Sequence, residues 1–365
     1  MLLMNDFTRE PEVLVRAQVE AFERVLRSGW YILGPEVAAF ERFWADYCGV
    51  AHAIGVANGM DALEIGLRCL DVGPGDEVIT TPVTAFATVL SIIRAGAEPV
   101  LADIEPDTGR MDASSVRRCL SERTRAILPV HLYGGLADIR ALRTICDDHG
   151  LALAEDCCQA HGARVGGRSV GTFGDFAAWS FYPTKNLGTV GDGGCITTKN
   201  ETLAAAARVL RDYGRIGRYS HSHVGLNSRL DEVHAAILGE RMKHLQGFNA
   251  ARSAVAERYT CGIRNPAVEL LRAPGSDETP VHHLFPVLVD QRARFMAHMA
   301  ELGVQTLVHY PIPAHLQDPC RNARRDPCGL GNAERFSERV VSIPCHPFLA
   351  TEEVERVVEA VNAFR

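Results

Sequence analysis

Residues 51–96 read AHAIGVANGMDALEIGLRCLDVGPGDEVITTPVTAFATVLSIIRAG. An apolar run, AHAIGVAN, gives way to a helical pattern, GMDALEIGLRCL. A second apolar run, DEVITTP, is followed by AFATVLSIIRAG, and the alternation continues downstream. EPVLADI, RAILPVHLYG and LALAED read as strands; DASSVRRCL and DIRALRTICDDHG, the latter ending in Gly150, read as helices between them. Short strands alternating with helices predict βα units and a mostly parallel sheet. The nearly unbroken apolar character of the strands predicts a sheet covered on both faces.

Upstream, Val13, Val15, Val19, Phe22 and Leu26 have helical spacing up to a stop at Gly29. Pro35 suits a first helical turn, and Val37, Phe40, Trp44 and Tyr47 form one stripe. Downstream, NSRLDEVHAAILGERMKHL predicts a long helix, with Ser228 and Asp231 where a capping box would start it. The texture changes after about residue 250. HHLFPVLVD, VQTLVHYP and VVSIP read as strands, RARFMAHMAEL and EEVERVVEAVNAF as helices, with Thr351 as the N-cap of the last. The expected division is a large domain over residues 1–248 and a smaller α/β domain over 249–365. Residues 1–30 are expected to pack on the smaller one.

The 365 residues carry a net charge of −7, with 47% hydrophobic and 23% charged residues. That balance argues against a general nucleic-acid binder and leaves room for an anionic small ligand in a local positive pocket. The start, MLLMNDFTREPEV, lacks the pattern of a signal peptide. No apolar run reaches the ~18 residues of a membrane span. Eleven cysteines without a C-x-x-C pair are expected to be reduced thiols in a cytoplasmic protein, with no metal site.

Ligands of parallel sheets sit beyond the carboxyl ends of the strands, and four features fall at such ends. Asn58 and Gly59 open a helix whose free N–H groups suit a phosphate. LALAED ends in Glu155 and Asp156, and either carboxylate could face a pocket. SFYPTKNLG (180–188) carries Lys185 ahead of a glycine-rich turn. A desolvated lysine there becomes a nucleophilic amine able to form a Schiff base. Asn227 and Ser228 in GLNSRLDE open a further helix. Singly, each is as well explained by a cap, a turn or a surface charge. Together, a phosphate-binding helix start, an acid and a lysine are what pyridoxal 5'-phosphate requires. The lysine holds the aldehyde carbon, the acid keeps the pyridine nitrogen protonated, and glycines after Lys185 let the backbone approach closely.

The ordered motifs GWYILGPEVAAFE, HAIGVANGMDAL, GPGDEVIT, PVHLYG, EDCCQAHGA, FYPTKNLGTVGDGG, NSRLDEVHAAIL and VHYPIPAHLQ run nearly end to end. In them the chain resembles the DegT/DnrJ/EryC1/StrS family of pyridoxal-phosphate-dependent nucleotide-sugar aminotransferases. The resemblance implies an α/β, fold type I (aspartate-aminotransferase-like) architecture and a cytoplasmic homodimer with shared sites. It implies transfer of an amino group, from glutamate, to a nucleotide-linked 3-keto or 4-keto sugar. Lys185 would be the Schiff-base lysine and proton carrier, Asp156 the partner of the ring nitrogen and Gln159 the contact to the ring's 3-oxygen. Ser180 and the backbone of Gly59 and Met60 would hold the phosphate, and Asn227 would reach it from the neighbouring subunit. His309 and Tyr310 would line the sugar pocket, with Arg215, Arg218 and Arg229 near enough in sequence to serve the diphosphate.

The chain departs from the pattern in three places. Met60 replaces a hydroxyl residue, His234 replaces a common glutamine, and Ala85 stands where an aromatic ring stacks on the cofactor. Phe86, one place later, either takes that stacking role from a shifted loop or lies in the core. The lysine at 185 argues against the dehydrating subclass, which carries histidine there. An aminocyclitol transaminase, another enzyme of this fold and a non-catalytic cofactor-binding regulator are the alternatives. VGGRSVG lacks the glycine spacing of a nicotinamide site.

Overall fold

The computed structural model describes all residues from Met1 to Arg365. Helix α1 (Glu12–Ser28) stops at Gly29, whose φ of 66° is left-handed, and α2 (Pro35–Cys48) starts at the proline. The alternating stretch then folds as β1 (His52–Val56), α3 (Gly59–Cys69), β2 (Glu77–Thr80), α4 (Phe86–Arg94) and β3 (Glu98–Leu101). It continues through α5 (Ala113–Cys119), β4 (Thr124–Leu128), α6 (Ile139–His149) and β5 (Ala152–Asp156). A hairpin, β6 (Arg164–Val165) and β7 (Arg168–Ser169), precedes β8 (Phe176–Ser180) and β9 (Gly194–Thr198). Three helices follow: α7 (Glu201–Leu210), α8 (Glu232–Met242) and α9 (Leu245–Gly262). The remainder comprises β10 (Glu269–Leu270), β11 (Glu278–Thr279), β12 (Phe285–Leu288), α10 (Arg292–Glu301), β13 (Arg324–Arg325), α11 (Gly331–Arg339), β14 (Val340–Ile343) and α12 (Thr351–Ala363).

Eight strands make the central sheet in the order β1-β9-β8-β5-β4-β2-β3-β13. Only β9 runs antiparallel to its neighbours. The parallel strands therefore deliver their carboxyl ends, and the loops after them, to one edge. Both faces are covered because both faces are apolar. On β8, Ala177 and Trp179 join one core cluster while Phe176 and Ala178 join the other. A small antiparallel sheet, β10-β12-β14, packs with α9 and α12 around a third cluster.

The chain crosses between these bodies more than once. Leu2 and Met4 bond to Gly303 and Gln305, whereas α1 lies on α8. Helix α9 runs unbroken through residue 248. β13 extends the large sheet beside β3, and Asp103 accepts the N–H groups of Asn332 and Ala333 at the start of α11.

Three local expectations are corrected. The helix expected from residue 227 begins at Glu232, and the Ser228 hydroxyl accepts the Ala57 N–H at 3.1 Å instead of capping it. The buried Glu232 carboxylate takes the N–H groups of Gly34, Glu36 and Val37, placing an anion at the positive end of α2. Thr351 is the first residue of α12 rather than its cap, and Glu353 reaches back to the Ala350 N–H. VQTLVHYP forms only two isolated bridges, Val304 to Leu2 and Leu307 to Ser342, and Pro311 and Pro313 remove the donors a strand would need to continue.

Candidate active site

A cavity of about 330 Å³ opens at the carboxyl edge of the sheet. Lys185, Asp156, Gln159, Ser180, Gly59 and Met60 all line it. They arrive in pairs at the carboxyl ends of three strands: Gly59 and Met60 at β1, Asp156 and Gln159 at β5, and Ser180 and Lys185 at β8. Asn58 ends the turn after β1 and caps α3, its Oδ1 accepting the Asp61 N–H at 2.8 Å. The first N–H groups of a helix have no acceptor within it, so those of Gly59 and Met60 are left for the cavity. Glycine at 59 is a steric requirement. A Cβ there would lie 2.7 Å from the Ser180 Cβ and 2.8 Å from the Cys158 Sγ. The helix start, the end of β8 and the turn after β5 are thus held against one another, and the cradle they form has the donors a phosphate needs.

Lys185 sits in the loop after β8, its N–H bonded to the Tyr182 carbonyl at 2.9 Å. Burial pushes its amine below the ordinary lysine range, while Asp156 pulls the other way. That is the condition under which an amine is free to attack a carbonyl. Asp156, buried at the end of β5, accepts the Thr88 hydroxyl on Oδ2 at 2.8 Å and the Cys158 N–H on Oδ1 at 3.1 Å. Gln159 is fixed through its Oε1 by the Tyr133 N–H at 2.7 Å, and its Nε2 donates to the Tyr310 hydroxyl at 3.2 Å. The donor set fits pyridoxal phosphate: a lysine amine, a carboxylate, an amide and a phosphate-sized group of N–H donors beside a serine.

Tyr310 and His309 stand behind Gln159 rather than on the cavity wall. The Tyr133 hydroxyl donates to the His309 carbonyl, and His309 Nδ1 meets the Ser342 hydroxyl at 2.9 Å. Burial raises Tyr310 to about 12, and burial together with Lys185 lowers His309 to about 4. Phe86 does not line the cavity. It is the first residue of α4 and packs on the cluster containing Val83 and Val89, so the side chains presented there are Ala85 and Ala87. The stacking role weighed for Phe86 therefore has no support in this arrangement. Asn227 is exposed and outside the cavity. Arg215 and Arg229 both pair with Asp212, whereas Arg218 lies over the Tyr219 ring and pairs with no carboxylate.

Several residues that touch the cavity or its support were not singled out from the sequence, among them Thr84, Thr88, Cys158, Asp192 and Tyr133. The signal for the threonines was available, since TPVTAFAT follows a parallel strand as the other motifs do. His131, Glu155 and Cys157 also converge, buried, at metal-ligand distances. The Glu155 and His131 atoms are already engaged: Glu155 takes the N–H groups of Gly171, Phe173 and Gly174 and the His131 Nε2, while His131 Nδ1 accepts the Ala137 N–H.

Residues 13–362 match the profile of the DegT/DnrJ/EryC1/StrS aminotransferase family. The chain is 46% identical to a dTDP-3-amino-3,4,6-trideoxy-alpha-D-glucose transaminase of Streptomyces venezuelae, covering 95% of this chain and 92% of that one. It is 45% identical to a dTDP-3-amino-3,6-dideoxy-alpha-D-galactopyranose transaminase of Aneurinibacillus thermoaerophilus, covering 94% of each. Among solved structures, it is similar to S. venezuelae DesV in complex with a ketimine intermediate (TM-score 0.95, 44% identity, 99% and 97% covered). It is also similar to NtdA from Bacillus subtilis with bound cofactor PMP (TM-score 0.90, 32% identity, 97% and 82% covered).

Proposed function

The chain belongs to the DegT/DnrJ/EryC1/StrS aminotransferase family, and on that premise we propose that it is a pyridoxal-phosphate-dependent aminotransferase. It moves an amino group from glutamate to C3 of a dTDP-linked 3-keto deoxysugar. The convergence of Lys185, Asp156, Gln159, Ser180 and the start of α3 on one cavity carries the reading. The 3-amino products in the names of both transaminase relatives support the position.

Bound pyridoxal phosphate supplies an aldehyde that condenses with amines and a ring that withdraws electrons from the carbon beside them. The chain's residues do the rest. Lys185 anchors the cofactor through Nζ and, once displaced, carries a proton on that same atom to and from the substrate carbon. Asp156 holds the ring nitrogen's proton with its carboxylate, and Gln159 offers its Nε2 to the ring. The amides of Gly59 and Met60 with the Ser180 hydroxyl hold the phosphate, doing without the hydroxyl that Met60 displaces.

The working unit is a homodimer. One protomer's cavity is lined by a single cation, Lys185, and by Asp156 and Asp192. That balance does not suit a cofactor phosphate and a nucleotide diphosphate together. On α1, Val15, Val19, Phe22 and Leu26 expose a stripe at helical spacing, continued by Trp30 and Tyr31. The loop carrying Arg218 exposes Tyr219 and Val224 by 83% and 86%. Monomers rarely leave so much apolar surface bare; a second copy covers it and brings Arg218 and Asn227 to the neighbouring site. No helix is long and apolar enough to cross a membrane, and eleven unpaired cysteines suit the cytoplasm.

The test is a panel of dTDP- and UDP-linked 3-keto and 4-keto sugars with glutamate, the new amine located by NMR. Amination of a dTDP-3-keto sugar by the wild type, and none by Lys185→Ala, is the expected result. Turnover by the variant, or amination of 4-keto sugars alone, overturns the assignment.

A further inference from the structure

The Asp156 carboxylate is reached by a hydrogen-bond chain that begins in the turn after β2. The Thr88 hydroxyl lies 2.8 Å from Asp156 Oδ2, and the Thr84 hydroxyl lies 2.9 Å from that of Thr88. All three side chains are buried, and all three residues line the cavity. The direction of the chain follows from its end. An ionised carboxylate only accepts, so Thr88 donates to Asp156, and the Thr88 oxygen is left to accept from Thr84. A threonine within a helix commonly returns its hydroxyl to the carbonyl four residues back. Thr88 instead spends its proton on a residue 68 positions away.

Oδ1 of Asp156 is occupied by the Cys158 N–H at 3.1 Å. Each carboxylate oxygen thus has one protein donor and one remaining direction. The two donors fix where the carboxylate points and leave its remaining lone pairs facing the cavity, able to accept a hydrogen bond from a protonated ring nitrogen.

We propose that Thr88, oriented by Thr84, is a positioning residue that holds the Asp156 carboxylate aimed into the cavity, where it would support the protonated form of the cofactor's ring nitrogen. The inference rests on the cofactor reading given above. Helix α4 supplies the electronics of the site through a residue that touches the acid on β5, not the cofactor.

The experiment loads the protein with pyridoxal phosphate labelled with ¹⁵N in the ring and reads the nitrogen's chemical shift, alongside cofactor affinity by equilibrium dialysis. Thr88→Val keeps the shape and removes the donor. Its signal should move toward the unprotonated position, with cofactor binding weaker on the order of tenfold, the value of one hydrogen bond to a charged group. Thr88→Ser should restore both readings. Thr84→Val, remote from the acid, should move the signal the same way by less, and it serves if Thr88→Val does not fold. A merely structural role would alter stability and leave the nitrogen signal in place. A wild-type signal retained in Thr88→Val, or in Thr84→Val where that alone folds, overturns the proposal. Wild-type protein that takes up no labelled cofactor overturns instead the reading beneath it.

Discussion

Gly59→Ala isolates the phosphate cradle from everything else in the site. A Cβ at that position would meet the Ser180 Cβ at 2.7 Å, the Cys158 Sγ at 2.8 Å and the Ser180 Cα at 3.2 Å. Neither side yields easily. Ser180 lies on β8, an interior strand of the sheet, paired with Gly194 of β9, and Cys158 lies two residues past the end of β5. The start of α3 must therefore move outward, into the volume a phosphate would fill, and its free N–H groups move with it. Overpacking of this kind costs about 1–3 kcal/mol. Charged against the bound state, that is about 5- to 150-fold in affinity for pyridoxal phosphate, at ~1.4 kcal/mol per tenfold. Titration of the apoprotein, followed by cofactor absorbance, reads the affinity, and thermal unfolding with and without cofactor separates it from general destabilisation. Gly247→Ala is the control, because its Cβ meets nothing within 4 Å in the exposed part of α9. It should raise the melting temperature, since Ala is favoured over Gly in a helix by about 1 kcal/mol, and leave affinity alone. A Gly59→Ala protein that melts lower but binds the cofactor like wild type would show that α3 does not hold the phosphate.

Two further outcomes follow. Arg218→Ala should raise KM for the nucleotide sugar with little change in kcat. At substrate concentrations far below that KM, where Arg218→Ala alone turns over slowly, mixing with inactive Lys185→Ala chains should bring kcat/KM to roughly a quarter of wild type, because half of randomly paired dimers then hold one complete site; no recovery on mixing would place Arg218 outside its neighbour's site. Asp326→Asn should destabilise the protein at neutral pH by about 1.5–3 kcal/mol, the cost of weakening a hydrogen bond to a charged group, and the gap to wild type should close in acid. Burial works to raise the Asp326 carboxyl, but Arg118 at 2.6 Å and the Ser115 hydroxyl prevail and hold it near 2, below the ordinary 3.8. A depressed folded-state value contributes stability above about pH 4 that is lost as pH falls towards 2. Equal melting curves at neutral pH would remove Asp326 as the tie between β13 and α5.

The large sheet was legible because its signal repeats. Four apolar runs, each followed by a helical pattern, and a fifth run after them specify parallel βα units several times over, and no single misreading could disturb them. The C-terminal part was less so, since its structure depends on partners far away in sequence. α11 begins at Gly331 without a capping side chain of its own, taking Asp103 instead. β13 is two arginines whose strand character exists only beside β3. The start of α8 was misplaced for the same reason: Ser228, a good cap on paper, is drawn to the Ala57 amide, 171 residues away in the chain. Phe86 was ambiguous because one residue of slippage at a helix start turns a side chain by ~100°, from cavity to core.

The adjacent acids of LALAED show what the sequence held without revealing. Successive residues of a strand point to opposite faces, so Glu155 and Asp156 could never share a pocket. Glu155 falls on the side where the backbone of 171–174 turns back, and three N–H groups and His131 consume its lone pairs. No acceptor capacity is left for a ligand, and a charge so enclosed is structural, pinning that turn and the imidazole against β5. Asp156 meets only two protein donors. The remaining lone pairs face a cavity that also receives Lys185, and a carboxylate left incompletely satisfied there is the one able to accept a hydrogen bond from a protonated cofactor ring. Hydrogen-bond saturation, not burial, separates the two, since both are nearly inaccessible to solvent. Choosing between them from the sequence would have required knowing that the glycine-bounded turn 171–174 returns to the same strand.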